Sequence, residues 1–389
     1  VKVLFVHGLK LGDLLMAAPV LQFYRRKYPR AEFHLLALPE AMAASQVLDP
    51  VNVWHELPKK KILETAALAS VGLLDGVDLL AACFDRLNLE NFDLAVSLSH
   101  TRFCAYALSL ICASEKHGTY FEGENLKCSS LDFLEMENLK ETRKLHYLDA
   151  YRKGFGSFDE KVEWRFRGSE EDTLQKRSLL NEGRSLYLFQ PLSSEVKKAW
   201  SLERWTRLMQ EIRRMDPLAE MKILCAPFEV GEVQALSQAA QVELLPTDLK
   251  EALAWIRAAD FLITLDTSIK HLANASRCKV IELCLGSADF FKQAIYKPGA
   301  VILTPKVSCY PCAHQSRCPL EKRICAQGIE AEDVIQALKF LKNKEERPSI
   351  HCGAFITTTT DTQWSYRALS AQGGKNEKAV SRTEAEQNH

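Results

Sequence analysis

An alternation of short apolar runs with amphipathic helical stretches predicts an α/β protein built on parallel sheets. Three observations carry this. Runs such as Val1–Val6 and Phe261–Leu265 have the make-up of strands buried on both faces. Each leads through a turn rich in Gly, Asp, Ser or Thr into a helical period. The rhythm is lost between about Gly154 and Gly183 and then begins again, so two similar α/β halves are expected.

Taken in order, Val1–Val6 is the first strand. After Gly12-Asp13 the run from Leu14 to Tyr28 predicts one helix, stopped by Pro29. Ala31–Leu38 and Leu94–Leu98 are strands, and Thr101–Cys112 is a helix leading to a short segment, Lys116–Tyr120. The stretch around Gly168-Ser169-Glu170-Glu171-Asp172 is charged and aperiodic, so residues 156–183 are assigned to a linker between domains at 1–155 and 184–329. The second half reads as strands at Ser185–Gln190, Met221–Ala226, Phe261–Leu265 and Lys279–Leu285. Helices fall at Leu202–Met215, Val233–Ala240, Leu249–Ala259 and Thr267–Ser276. Residues 330–348 hold a last amphipathic helix, and the polar tail 349–389 is expected to be largely disordered.

The chain has 389 residues, 47% of them hydrophobic and 26% charged, enough to bury two cores. Fifty Lys+Arg balance fifty Asp+Glu, which argues against a nucleic-acid polycation. The longest apolar stretch, Ala66–Cys83, is broken by Asp75 and Asp78, so no membrane span is expected. Val1–Val6 is too short for a signal-peptide core, and a cytoplasmic location with reduced thiols is expected.

Three stretches could carry chemistry. In Val6-His7-Gly8-Leu9-Lys10-Leu11-Gly12-Asp13, Gly8 and Gly12 permit a tight turn and close ligand approach, and Asp13 stands at a helix start. Its plain alternative role is an N-cap. The turn is neither a Gly-x-Gly-x-x-Gly fingerprint nor a Walker A loop. In Asp266-Thr267-Ser268-Ile269-Lys270-His271 a buried strand passes straight into a helix whose first N–H groups suit a diphosphate. Hydroxyls from Thr267 and Ser268 add donors, and His271 lies on the same face as Thr267. In Ser193-Ser194-Glu195-Val196-Lys197-Lys198-Ala199-Trp200 a strand end is followed by two hydroxyls and a Lys pair. That is either a phosphate-neutralising loop or an ordinary solvated one.

These stretches, in this order, resemble glycosyltransferase family 9, the ADP-heptose–lipopolysaccharide heptosyltransferases, over roughly residues 1–342. Gly12-Asp13 with Pro19 in the following helix, Lys198-Ala199-Trp200, Asp266-Thr267-Ser268-Ile269-Lys270-His271-Leu272 and Cys309-Tyr310-Pro311-Cys312 carry the resemblance. It implies a GT-B fold of two Rossmann-like domains facing a cleft, and an inverting transfer that needs no metal or other cofactor. Asp13 would be the general base. Ser193, Ser194, Lys198, Asp266, Thr267, Ser268 and His271 would bind the donor. Glu229 or Glu232 would hold the ribose, and Lys10, His100 and Arg102 are candidates for the acceptor. The implied partners are ADP-heptose and the lipopolysaccharide core, at the inner membrane face, with no nucleic acid. The chain departs from the family pattern at Ser268 (usually Gly), Lys270 (usually apolar or small), Gly286-Ser287-Ala288 (usually Gly-Pro-Thr) and His7-Gly8 (often Arg-Leu). Those departures leave open transfer to protein Ser or Thr. A non-catalytic binding or assembly protein of the same fold is the remaining alternative.

Cys309, Cys312, Cys318 and Cys325, with His314 among them, could hold a structural zinc or iron, pair as disulfides, or stay free thiols.

Overall fold

The computed structural model describes residues 1–68, 72–99, 101–128, 146–157, 160–180, 183–312, 318, 320 and 324–343, and the backbone of 354–358 and 366–369. The chain divides into two compact units, Val1–Arg167 and Gly168–His389.

The first unit holds a parallel five-stranded sheet in the order β3-β2-β1-β4-β5. Its strands are β1 (Lys2–His7), β2 (Glu32–Ala37), β3 (Val53–Glu56), β4 (Phe92–Ser97) and β5 (Ala113–His117). A hairpin of β6 (Thr119–Glu122) and β7 (Asn125–Cys128) follows. Val3, Leu4, Phe5 and Val6 are all fully buried, which is why β1 reads as an unbroken apolar run.

The helix expected over Leu14–Tyr28 is two helices, Leu11–Met16 and Ala18–Lys27. Pro19 has no N–H for the preceding turn, so it sits in the first turn of the second helix, where that loss costs nothing. Between β2 and β4 the chain adds a 3-10 turn at Pro39–Gln46, β3, and helices Lys59–Ala66 and Gly72–Asn88.

The second unit holds eight strands in the order β10-β9-β8-β11-β12-β13-β14-β15. Six are parallel: β8 (Leu186–Gln190), β9 (Glu220–Cys225), β10 (Glu243–Pro246), β11 (Phe261–Leu265), β12 (Lys279–Leu283) and β13 (Val301–Thr304). Two strands fall in the tail expected to be disordered. β14 (Ala354–Thr358) pairs antiparallel onto β13, which would otherwise be an open edge, and β15 (Tyr366–Leu369) pairs antiparallel onto β14.

Part of the stretch expected to be linker is likewise ordered. Glu170–Ser178 is a helix whose capping box joins Ser169 and Asp172, and Lys176 reaches Glu251 at 2.7 Å. The acidic run that hid it is the first turn, where carboxylates suit the helix dipole.

The core of this unit packs the buried faces of helices Leu202–Met215 and Ala331–Asn343 against the sheet through Trp205, Leu208, Ile212, Val334 and Leu338. Full burial of one such side chain contributes ~1.5–3 kcal/mol. Arg204 fastens the two helices through both oxygens of Glu330, at 2.7 and 3.2 Å.

In each sheet the strand order reverses beside the first strand, between β1 and β4 and between β8 and β11. In an open parallel sheet these switch points are where ligands settle, at the C-terminal strand ends.

Candidate active site

At the switch point of the first unit, β1 delivers His7 and β4 leads to Ser99. The His7 ring is fully buried, with Nδ1 3.3 Å from the Leu98 carbonyl and Nε2 3.3 Å from that of Lys10. Burial lowers the imidazole to about 4, although both carbonyls pull the other way, so it is neutral and donates to one of them. The ring thereby ties the turn after β1 to the end of β4.

The helix after that turn starts at Leu11 with Lys10 in the N-cap position, so Asp13 lies in its first turn and is not the cap. Asp13 is half-buried, and Lys10 is exposed. Gly8 is needed for packing: a Cβ there would stand 2.5 Å from Cys104 Sγ, so no larger residue fits without a shift.

Thr101 caps the helix Arg102–Leu110 by accepting from Cys104 N–H at 3.3 Å, and Arg102 is exposed at its start. His100 lies outside the described residues. Tyr151, which sequence reasoning missed, is buried near Asp13. Burial, and then the Asp13 charge, push its phenol well above the ordinary value, so it remains a proton donor. No local motif marks it, because it comes from the helix Tyr147–Gly154, far along the chain.

In the second unit the loop after β8 and the start of the helix after β11 meet. Lys198 Nζ lies 2.7 Å from Asp266 Oδ2 although 68 positions separate them. Lys198 is buried, so the reading of its loop as ordinary solvated surface is overturned; the carboxylate compensates the ammonium. Asp266 Oδ2 also accepts from Gln293 Nε2 at 2.8 Å, and Oδ1 takes Lys270 Nζ. Lys270, fully buried, reaches Glu282 Oε1 at 2.6 Å, and the other Glu282 oxygen accepts Ile295 N–H at 2.8 Å. Burial pushes Asp266 up, but Lys270 and Lys198 outweigh it and hold the carboxyl well below the usual range. Burial lowers Lys270, and its two carboxylates more than restore it, so it is charged.

Thr267 is the N-cap of the helix Ser268–Ala273 and makes no side-chain cap bond; its hydroxyl faces that of Thr264 at 3.5 Å. At the other end of this helix, Lys297 donates to the Ala273 carbonyl at 3.3 Å. Ser193 is half-buried and accepts Glu195 N–H at 3.4 Å, Ser194 is exposed, and His271 is buried. Glu229 spends one oxygen on Ala226 N–H at 2.8 Å, closing the turn after β9, while Glu232 is exposed on the next helix. A cavity of about 610 Å³, lined by Arg177, Asp260, Phe261, Lys279 and Lys342 among others, opens instead at the N-terminal strand ends.

The four-cysteine segment is only partly within the described residues. Among the described residues no group of three or more His, Cys, Asp or Glu could hold one, and every cysteine is a free thiol. Cys309 is exposed and Cys325 buried, while burial and the neighbouring cysteines raise the Cys312 thiol. His314 lies outside the described residues. Among the described residues no helix is long and apolar enough to cross a membrane.

Two Rossmann-like units, each gathering polar residues at its switch point, are the two halves of a GT-B glycosyltransferase. The profile of glycosyltransferase family 9 (heptosyltransferase) matches residues 82–323, more than half of the chain, and the protein belongs to that family. Solved structures of similar fold include a family 9 glycosyltransferase from Veillonella parvula, with 17% identity, a TM-score of 0.63, and coverage of 88% of this chain and 98% of that one. E. coli ADP-heptose lipopolysaccharide heptosyltransferase II is similar at 14% identity and TM-score 0.63, over 89% of this chain and all (100%) of its own. E. coli heptosyltransferase WaaC with ADP matches at 17% identity and TM-score 0.61, over 88% and 100%. No curated protein sequence matches the chain.

Proposed function

We propose that the protein transfers heptose from ADP-heptose to a hydroxyl of the lipopolysaccharide inner core, inverting the anomeric centre and using no metal or other cofactor. The observation that carries this is Lys198 paired with Asp266 beside the Thr267–Ser268 helix start, at the β8/β11 switch point. A diphosphate there meets a primary ammonium, two hydroxyls and unpaired N–H groups of a first helical turn. The ADP and ADP-2-deoxy-2-fluoro heptose ligands named for E. coli WaaC structures support the same donor.

The first unit binds the acceptor. Lys10 and Arg102 are exposed cations directly after β1 and at the helix after β4, suited to an anionic sugar core presented at the inner membrane face. Asp13 takes the proton of the attacking hydroxyl as the new C–O bond forms at the anomeric carbon. The bond to the diphosphate oxygen breaks, and ADP leaves with its charge met by Lys198 and by the Thr267 and Ser268 groups. Ser193 and Ser194 add hydroxyl contacts, His271 supports the same helix turn, and Glu229 or Glu232 takes the ribose.

The test is incubation with ADP-heptose and a heptose-free core acceptor, read by mass spectrometry. A gain of one heptose on the acceptor is expected. Label on protein instead would move the assignment to protein O-heptosylation, and neither product with intact donor would point to a binding protein.

A further inference from the structure

Lys270 is a charged side chain completely buried between two carboxylates. Burying two ions is costly, and a well-packed apolar pair is often as stable, so stability alone does not account for it. Its partners suggest another role. Asp266 divides its oxygens: Oδ1 goes to Lys270, which has no path to a ligand, while Oδ2 holds Lys198 and Gln293. Lys198 is therefore engaged before any diphosphate arrives. If it moves to phosphate, a buried carboxylate loses a counter-ion, which is expensive wherever no other remains.

We infer that Lys270, backed by Glu282 and assisted by Gln293, is a positioning residue that keeps Asp266 compensated while Lys198 exchanges Asp266 for the donor diphosphate. While Lys198 stays on Asp266, two ammoniums face two carboxyl groups, Asp266 and Glu282. With Lys198 on the ligand, Lys270 remains between Asp266 and Glu282, and Glu282 is fixed by Ile295 N–H. Gln293, half-buried, stays on the oxygen that Lys198 leaves. The inference rests on the donor reading above.

The test is calorimetric titration of ADP into wild type and into the Lys270→Met/Glu282→Gln double variant. That variant removes one positive and one negative charge, so the net charge of the site is unchanged, and Gln still accepts from Ile295 N–H. About tenfold weaker ADP binding is expected, because Lys198 becomes the sole cation on Asp266. In the Asp266→Asn background the same pair of changes is expected to alter ADP affinity less than twofold. A merely structural role would weaken binding equally in both backgrounds, and that result overturns the inference. So does unchanged affinity in the double variant. If the double variant does not fold, Gln293→Leu removes the other fixed donor from a less buried place. It is expected to weaken ADP two- to threefold, again only with Asp266 present, and unchanged affinity counts against the inference. Wild-type protein that binds no ADP overturns the donor reading, and this inference with it.

Discussion

Gly286→Ala tests how the loop proposed to bind phosphate is held. Gly286 has φ of +58°, in the left-handed region, and a Cβ there would stand 2.3 Å from the Lys197 carbonyl oxygen and 2.8 Å from its carbon. An alanine in that conformation costs ~1–2 kcal/mol by itself. The clash is with backbone, so no side chain can swing aside. Reaching ordinary contact at 3.4 Å requires a shift of about 1 Å in the turn Val196–Lys198. That turn carries the ammonium that pairs with Asp266 at 2.7 Å, and a displacement of this size breaks the contact. The summed cost is ~2–4 kcal/mol of stability. Urea unfolding and ADP titration of the same samples read both effects. A loss of stability together with at least tenfold weaker ADP binding is expected. Stability within ~0.5 kcal/mol of wild type, with ADP affinity intact, would refute the close approach of the two loops.

Other outcomes follow from the same contacts. Lys198→Ala is expected to weaken ADP binding by ~1.5–3 kcal/mol, the range of a charged hydrogen bond, while Lys270 keeps Asp266 paired and the fold intact; equal affinity by calorimetry removes Lys198 from the site. Gly8→Ala is expected to destabilise by ~1–3 kcal/mol through overpacking on Cys104, with much of the loss recovered in Gly8→Ala/Cys104→Ala; no recovery in urea unfolding contradicts the contact. His7, lowered from 6.5 to about 4, contributes fully above pH 6.5, where both folded and unfolded chains are neutral. As pH falls toward 4 the unfolded chain takes a proton that the folded chain refuses, so this contribution is lost, by about 2 kcal/mol between pH 7.5 and pH 5. The drop is expected to shrink in His7→Asn, and an equal drop in that variant rules His7 out.

The strands that position the site were legible because a central parallel strand is apolar throughout, as in Phe261–Leu265 and Leu186–Gln190. What the sequence left open depended on partners distant in the chain. Lys198 reads equally as a phosphate cation or a surface residue until Asp266 is seen to pair with it, and Lys270 reads as a departure from the family pattern until Glu282 is found on the next strand. The packing need at Gly8 was not legible because nothing local reveals Cys104. The helix Glu170–Ser178 was hidden because it has no buried residue of its own, leaving no apolar period to read. Helix Gly72–Asn88 was obscured differently, since Leu73, Leu74 and Val77 are exposed and blur its apolar face.

The proposed transfer needs both Asp13 as base and the donor-binding residues around Lys198. The most direct measurement is transfer from ADP-heptose by wild type and by Asp13→Asn, with ADP affinity determined on both. Transfer is expected to fall by ~10²–10⁴ with ADP affinity unchanged, the share expected of a general base. Full transfer by Asp13→Asn would contradict it.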